Sequence, residues 1–328
     1  LSFINKEFIM NKTIKKILKP ILLPPYRLIK NWLYEDRIWL RILLSTISPV
    51  CASKYLYKKT FSKKLDLNNP QTLNEKCMWL KLNTYYRHPL ITECCDKYLV
   101  RNYVKRMGCS EILNDLIGVW SNPDEIDFNG LPDKFVLKCN HGCGYNIICN
   151  DKNTLNIKKT KKQLKKWLRE DFWKLYAETQ YKFIKKRIIC EKYIETKDSS
   201  LPIDYKFFCE NGKFKTLQII TDRETDITLY YFDEALNYRP DYYSLDEVDI
   251  VNIGHPKLPS NIKDMIKIAE HLSSPFPFVK VDLYNADGKI LFSELTFIPY
   301  GGIHYTQHAN LPSDIKFTSI PKEYLLTK

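Results

Sequence analysis

Glycine is nearly missing from this sequence: there are ten in 328 residues. Cysteine is equally sparse at ten, no two form a C-x-x-C pair, and the adjacent Cys94 and Cys95 are poorly placed to bridge. There is also no secretory signal with a cleavage site. These absences argue against a disulfide-built secreted fold and place reduced thiols in the cytoplasm. No apolar run reaches the roughly 18–20 residues that a membrane-spanning helix needs. No internal repeat or low-complexity segment is visible.

Hydrophobic residues make up 44% and aromatics 13%, with 22 Tyr and 16 Phe, so the chain buries a real core as one large domain or as two or three lobes. The formal net charge is +13. Such a surface suits nucleic acid, anionic lipid, an acidic polymer or a nucleotide, or is simply a lysine-coated solvated face. The N-terminal stretch "MNKTIKKILKPILLPPYRLIKNWLYEDRIWLRILLST" alternates Lys and Arg with Ile, Leu and Trp and is broken at Pro20 and Pro24–Pro25. It reads either as a basic amphipathic segment on an anionic membrane surface or as helix packed on the protein's own core. Residues 1–9 precede Met10 and read as a possible artefact of the gene start.

Residues 70–120 read as helices. "QTLNEKCMWLKLNT" carries a capping box, Thr72 with Glu75 three residues on. "ITECCDKYLVRNYVKRMGC" reads as one further helix capped by Gly108, with Lys97 and Arg101 on one face. A polar loop, "SNPDEIDFNGLPD", leads to a strand over 134–139, and Ile147–Cys149 read as the returning strand. "KKTKKQLKKWLREDFWKLYAE" spaces Leu164, Trp167, Leu168, Phe172 and Leu175 as an amphipathic helix covering a sheet. From residue 187 strands dominate. "RIICEKYI" and "TDITLYYFD" are single strands, and "DYKFFCENGKFKTLQII" is a hairpin turning at Asn211–Gly212. "IKDMIKIAEHLS" is a helix, and "FVKVDLYNADGKILFSELTF" is a hairpin turning near Asp287–Gly288. The class is α+β, with a largely antiparallel sheet in the second half.

Against so few glycines, "KFVLKCNHGCGYNIIC" is informative, because Lys138 at a strand end is followed by Gly142 and Gly144. Glycines let backbone N–H groups approach phosphate oxygens, and a lysine adds a compact positive charge. In "IICEKYIE" a strand presents a carboxylate, Glu191, and then backbone N–H and C=O groups that can bind an adenine edge; the other reading of Glu191 is a simple edge charge. Asp282 in "VKVDLY" and Glu294 in "FSELTF" are two late carboxylates, costly as neighbours unless a cation lies between them. Hard oxygen ligands of this kind suit Mg²⁺ beside nucleotide phosphates. Glu294 and Thr296 share a face of their strand, and Asp282 joins it if the turn has an odd number of residues, as in a three-residue Ala286–Asp287–Gly288 loop. A two-residue turn would put Asp282 on the opposite face.

The order of these features resembles the ATP-grasp superfamily. "LNEKCMWLKL", "DKYLVR", "DYKFF" and "ELTFIPYGG" resemble more narrowly its teichuronopeptide-biosynthesis (TupA-like) branch, over roughly residues 65–310. The resemblance implies two α+β lobes holding ATP between antiparallel sheets, preceded by an N-terminal helical region. The implied division is 1–64, a basic amphipathic region, then 65–328, made of a helical part (65–133), a smaller ATP-binding lobe (134–192) and a metal-binding lobe (193–328). It implies that Lys138 contacts the α- and β-phosphates and that His141, Gly142, Cys143 and Gly144 form the loop over them. Glu191 and Ile194 would hold adenine, and Asp204 or Lys206 would lie near ribose or phosphate. Asp282 and Glu294 would hold Mg²⁺, with Glu294 bridging two ions.

Two positions depart from the pattern: Lys280 stands where many members have Arg, and Thr296 where many have Asn. Threonine keeps one oxygen ligand, while lysine keeps charge but loses the bidentate fork. Arg223 and Arg239, after the hinge strands, read either as a clamp on a γ-phosphate or carboxylate or as ordinary surface arginines. The expected catalytic set is therefore Lys138, Lys280 and Arg223. His304 and His308 have the i, i+4 spacing of a helical metal site but lack a third ligand, which favours a structural or substrate-contact role. The steps in "CNHGC" are too cramped for a zinc cage, and Trp120, Trp167 and Trp173 read as packing residues.

The implied activity is an ATP- and Mg²⁺-dependent ligase that activates a carboxylate as an acylphosphate, in bacterial surface-polysaccharide assembly. The expected partners are ATP and an acidic sugar or amino acid, with a lipid-linked glycan and peripheral contact with the inner membrane face in view and no nucleic acid. A glycosyltransferase of the same pathway would use Asp282 and Glu294 but not Lys138 and Glu191. A non-enzymatic basic protein bound to nucleic acid or membrane would explain the charge but not the acidic pair.

Overall fold

A computed structural model describes residues 38–197, 201–221, 228–243 and 256–324. Two antiparallel sheets carry the structure. The smaller has the order β1-β4-β2-β3, from Leu116–Trp120 (β1), Phe135–Cys139 (β2), Asn146–Cys149 (β3) and Ile188–Lys192 (β4). The larger has the order β7-β6-β5-β8-β9, from Ile203–Glu210 (β5), Lys213–Thr221 (β6), Thr228–Phe232 (β7), Phe278–Ala286 (β8) and Lys289–Thr296 (β9).

Alternation decides what each sheet buries and what it presents. On β2, Phe135, Leu137 and Cys139 are buried while Val136 and Lys138 are half-buried. The buried set packs with Ile188, Cys190 and Leu164, the last from helix Ile157–Arg169 (α5). In the larger sheet, Phe207, Leu217, Val281 and Leu283 join Met265, Ala269 and Leu272 of helix Ile262–Ser273 (α6) in one apolar core. The opposite face of the larger sheet carries the polar row Gln218, Lys206, Asp282 and Glu294, paired strand to strand.

Both hairpins turn where the sequence places them. Asn211 and Gly212 have φ of 52° and 73° between the paired Glu210 and Lys213. Asp287 and Gly288 have φ of 52° and 94° between the paired Ala286 and Lys289. The second turn therefore has two residues, the alternative that taken alone would separate Asp282 from Glu294. A β-bulge corrects the register. Leu283 pairs with Phe292 but Asp282 pairs with Glu294, which leaves Ser293 as the extra residue.

Before the sheets lie short helices: Pro49–Phe61 (α1), Leu73–Leu82 (α2), Pro89–Cys95 (α3) and Val100–Arg106 (α4). The capping box of α2 is present, with Thr72 Oγ1 accepting from Glu75 N at 3.3 Å and Glu75 Oε2 accepting from Thr72 N at 3.0 Å. The single helix expected over 91–109 is instead two. Asp96 breaks it, because its carboxylate accepts from the amides of Tyr98 and Leu99 at 2.8 and 3.3 Å. Gly108 closes α4 with φ 75°. The stretch 70–120 is also not wholly helical, since it contributes β1 to the smaller sheet. The helix expected over 158–178 stops at Arg169, and Phe172–Lys174 form a separate short turn.

Residues 1–37, with most of the amphipathic segment, lie outside the described residues. Residues 38–47 are helical and expose Trp39, Leu43 and Ile47, whereas α1 buries Leu56 and Tyr57 against Met78 and Ile303. No helix among the described residues is long and apolar enough to cross a membrane.

Candidate active site

The cleft-facing side of the smaller sheet supplies Lys138 and Glu191, and Lys138 Nζ lies 2.6 Å from Glu191 Oε2. Burial works against the lysine's charge, but Glu191 outweighs it, and its ammonium is held above the usual lysine range. Val136, Lys138, Ile148, Glu191 and Ile194 line a slot that Tyr284 of the larger sheet closes. An apolar slot with a carboxylate and hinge backbone at its edge is suited to a flat heterocycle.

The loop after β2 is anchored at its base. Asn140 is fully buried, accepts from Arg187 N at 2.7 Å, and donates to Asp96 Oδ1 at 2.8 Å and to the Lys185 carbonyl at 3.0 Å. His141, the first residue of the expected loop, points inward. It is 2% exposed, and its Nε2 is 3.1 Å from the Trp167 carbonyl of α5, so it ties the loop to the lobe core. Gly142 is required by space, because a Cβ there would come within 2.8 Å of both Phe172 and Tyr145. Gly144 is required by conformation, with φ 76°. Cys143 and Gly144 are the exposed tip. Partial desolvation raises the Cys143 thiol, with Glu294 adding to the rise and Lys97 and Lys280 opposing it.

On the larger sheet, Asp282 is 0% exposed and directly opposite Glu294. Asp282 Oδ2 accepts from Lys206 Nζ and lies 3.3 Å from Lys280 Nζ. Lys206 also reaches Asp204 Oδ2 at 2.6 Å. Glu294 Oε2 lies 2.6 Å from Lys97 Nζ, and Thr296 Oγ1 is 3.4 Å from Glu294 Oε1. Burial alone would raise the Glu294 carboxyl, but Lys97, Lys206 and Lys280 hold it well below the usual carboxylate range. Burial lowers the Lys280 ammonium, with Asp282 opposing and Lys206 adding to the fall. Burial also works against Lys206, but Asp282 and Glu294 keep its ammonium raised.

Of the expected residues, Lys138, Glu191 and Ile194 line the slot with Tyr284, while Asp204, Lys206, Lys280 and Asp282 form one polar cluster on the larger sheet, with Glu294 paired opposite Asp282 and Thr296 beside Glu294. Arg223 lies outside the described residues. Arg239 is taken up locally, with Nε 2.8 Å from Asp241 Oδ1 and the guanidinium over the Tyr242 ring at 4.1 Å. His304 and His308 do not lie on a common helix. His304 stacks on Tyr300 and bonds Thr306, while His308 bonds Thr216, each at about a hydrogen-bond length of 3 Å. Among the described residues no group of three His, Cys, Asp or Glu side chains could hold a metal by itself.

Three residues beside the expected site carry no site role in the sequence reading: Lys97, Arg101 (3.5 Å from Glu191 Oε1) and Tyr284. Lys97 and Arg101 were placed on one face, and "DKYLVR" carried the family resemblance, but nothing in the spacing aimed them at carboxylates.

Two antiparallel sheets facing each other across lysines and an opposed acidic pair form a cleft of the ATP-grasp kind. The chain belongs to the TupA-like ATP-grasp family, whose model matches residues 75–312. Among solved structures it resembles an L-amino acid ligase from Bacillus licheniformis (12% identity, 70% of this chain and 50% of that chain, TM-score 0.43). It also resembles a D-alanine–D-alanine ligase from Bacillus anthracis complexed with ATP (16% identity, 63% and 55%, TM-score 0.36). A third is a phosphoribosylamine–glycine ligase from Thermotoga maritima (13% identity, 65% and 50%, TM-score 0.39). The chain spans about half the length of these ligases. No curated protein matches it.

Proposed function

We propose that this chain is an ATP- and Mg²⁺-dependent carboxylate–amine ligase that works through an acylphosphate in the assembly of a bacterial surface polysaccharide. The observation that carries the reading is the direct opposition of Asp282 and Glu294 within a cleft that also gathers Lys97, Lys138, Lys206 and Lys280.

Mg²⁺ fits this donor set. Asp282 Oδ1 is a hard oxygen, buried and without a hydrogen-bond donor, and Glu294 is aligned opposite it. Asp282, Glu294 and the weaker hydroxyl of Thr296 would hold the ion, with nucleotide oxygens completing the set. When bound, the ion neutralises charge on the β- and γ-phosphates.

In this reading the adenine lies in the slot between Ile148, Ile194 and Tyr284, beside Glu191. Lys138 binds the α- and β-phosphates, and the backbone of Gly142–Gly144 covers them. Lys206, placed by Asp204, and Lys280 face the γ-phosphate. A substrate carboxylate oxygen attacks Pγ, the bond from Pγ to the β–γ bridging oxygen breaks, and ADP leaves. An amine then attacks the acylphosphate carbon, phosphate departs with the electron pair, and the amine's surplus proton passes to solvent. The lobe division follows: the smaller lobe is 134–192 enlarged by β1, and the metal-binding lobe is 193–328. The net charge of +13 supports an acidic sugar or amino acid as substrate, on a lipid-linked glycan or free.

The test is ADP release in the presence of candidate sugar acids and amines. With an ¹⁸O-labelled carboxylate, the expected result is one ¹⁸O in the phosphate released. Label-free phosphate would contradict the acylphosphate step, and turnover of a sugar nucleotide in place of ATP would favour a glycosyltransferase.

A further inference from the structure

The two carboxylates proposed to hold metal are already engaged by ammonium groups from different parts of the chain. Asp282 is held by Lys206 and Lys280, both on strands of its own sheet. Glu294 is held by Lys97, which comes from the break between α3 and α4.

The backbone of Lys97 is fixed at an unusual junction. Its N–H donates to the Asn140 carbonyl at 3.2 Å, at the base of the glycine loop. The preceding residue, Asp96, is fully buried and accepts from Asn140 Nδ2, while the Asn140 N–H donates to the Arg187 carbonyl just before β4 and its Oδ1 accepts from the Arg187 N–H. Lys97 is therefore bolted to the loop proposed to cover phosphates, while its four-carbon stem carries the ammonium across to Glu294. It is also close enough to Lys138 for their charges to oppose each other.

A divalent cation at Glu294 would share that carboxylate with the Lys97 ammonium, 2.6 Å from Oε2, and repulsion between the two positive charges favours displacing the ammonium. A buried ammonium without a counter-charge is strongly unfavourable, so the displacement needs a new anion within reach. Phosphate oxygens under the glycine loop would supply one. We infer that Lys97 is an exchangeable counter-ion: it holds Glu294 while the cleft is empty and transfers to nucleotide phosphate when nucleotide and metal enter together. This deepens the proposed function and rests on it. Its consequence is that free divalent metal binds poorly, and that metal and nucleotide enter as one complex.

The two roles give Lys97→Met opposite effects on two ligands, which a merely structural residue would not produce. Binding of Mn²⁺ alone, followed by loss of the free-ion signal in electron paramagnetic resonance, should tighten about tenfold or more in the variant, the scale of one charge-assisted hydrogen bond. Binding of ATP·Mg²⁺, followed by calorimetry, should weaken by a similar factor. Lys97→Arg, which keeps the charge, should stay near the parent in both. If Lys97→Met does not fold, Lys97→Gln carries the same expectation. Equal Mn²⁺ affinity in parent and variant would overturn the inference, as would tight Mn²⁺ binding by the parent alone. Failure of the parent to bind ATP·Mg²⁺ would instead contradict the ligase reading, and the Mn²⁺ measurement would still decide whether Lys97 guards Glu294.

Discussion

Asp282 and Glu294 face each other across β8 and β9 because Ser293 is an extra residue in β9. The two-residue turn at Asp287–Gly288 and the bulge each shift the pairing by one, and together they return both carboxylates to the same face. Bulges commonly re-aim a side chain beside a functional site. Here the bulge makes the acidic pair.

Asp282→Asn should abolish ligase turnover and also destabilise the protein. It removes the charge between Lys206 and Lys280 at a position with no solvent exposure. Breaking a buried ion pair from one side costs about 3–5 kcal/mol. Urea unfolding should show a loss of that order, and an unchanged midpoint would mean the lysines find other partners. Glu294→Gln, at a half-open position, should lose turnover with a smaller loss of stability.

Gly142→Ala and Gly144→Ala should separate packing from conformation. At Gly142 the new methyl meets Phe172 and Tyr145 at 2.8 Å, and overpacking of this kind costs about 1–3 kcal/mol. Gly144 has open space around it, so its penalty is the left-handed backbone, about 1–2 kcal/mol. Gly142→Ala should therefore lower the melting temperature more, and Gly144→Ala should show its effect chiefly in nucleotide affinity.

Acidification should weaken the fold through the buried histidines. Burial lowers His308 from 6.5 to about 4, and His304 from 6.5 to about 3, with charge from His308 and Lys280 adding to the latter. A histidine whose folded-state pKa is depressed stays neutral in the fold while the unfolded chain takes up a proton. Its contribution is intact above 6.5 and is lost as pH falls from there toward 4, at about 1.4 kcal/mol per pH unit. His308→Gln should flatten the dependence of unfolding free energy on pH in this window relative to the parent. Identical slopes would place the proton uptake elsewhere.

The sequence made the local signals legible. The capping box at Thr72 and Glu75, the Asn211–Gly212 turn and the strand over 134–139 depend on neighbours a few residues away, and all three are present as expected. Strand β1 was not legible: five residues, interrupted by a register shift near Gly118, give too short a pattern to stand out after a run of helices. The helix break at Asp96 depends on one carboxylate capturing two amides, which hydrophobic periodicity does not register. The bulge at Ser293 has no residue signature, because it is imposed by pairing with β8. Lys97 is one of 51 basic residues, and only the crossing of its segment with the glycine loop shows where its ammonium goes.

The most direct test of a nucleotide held between the two sheets is thermal unfolding of the parent, Lys138→Ala and Glu294→Gln, each with and without ATP·Mg²⁺. A ligand at a hundred times its dissociation constant stabilises by about 2.7 kcal/mol. The parent should shift upward by several degrees with ATP·Mg²⁺ and much less with a sugar nucleotide, and both variants should lose the shift. A parent indifferent to ATP·Mg²⁺, or variants that respond as fully as the parent, would contradict it.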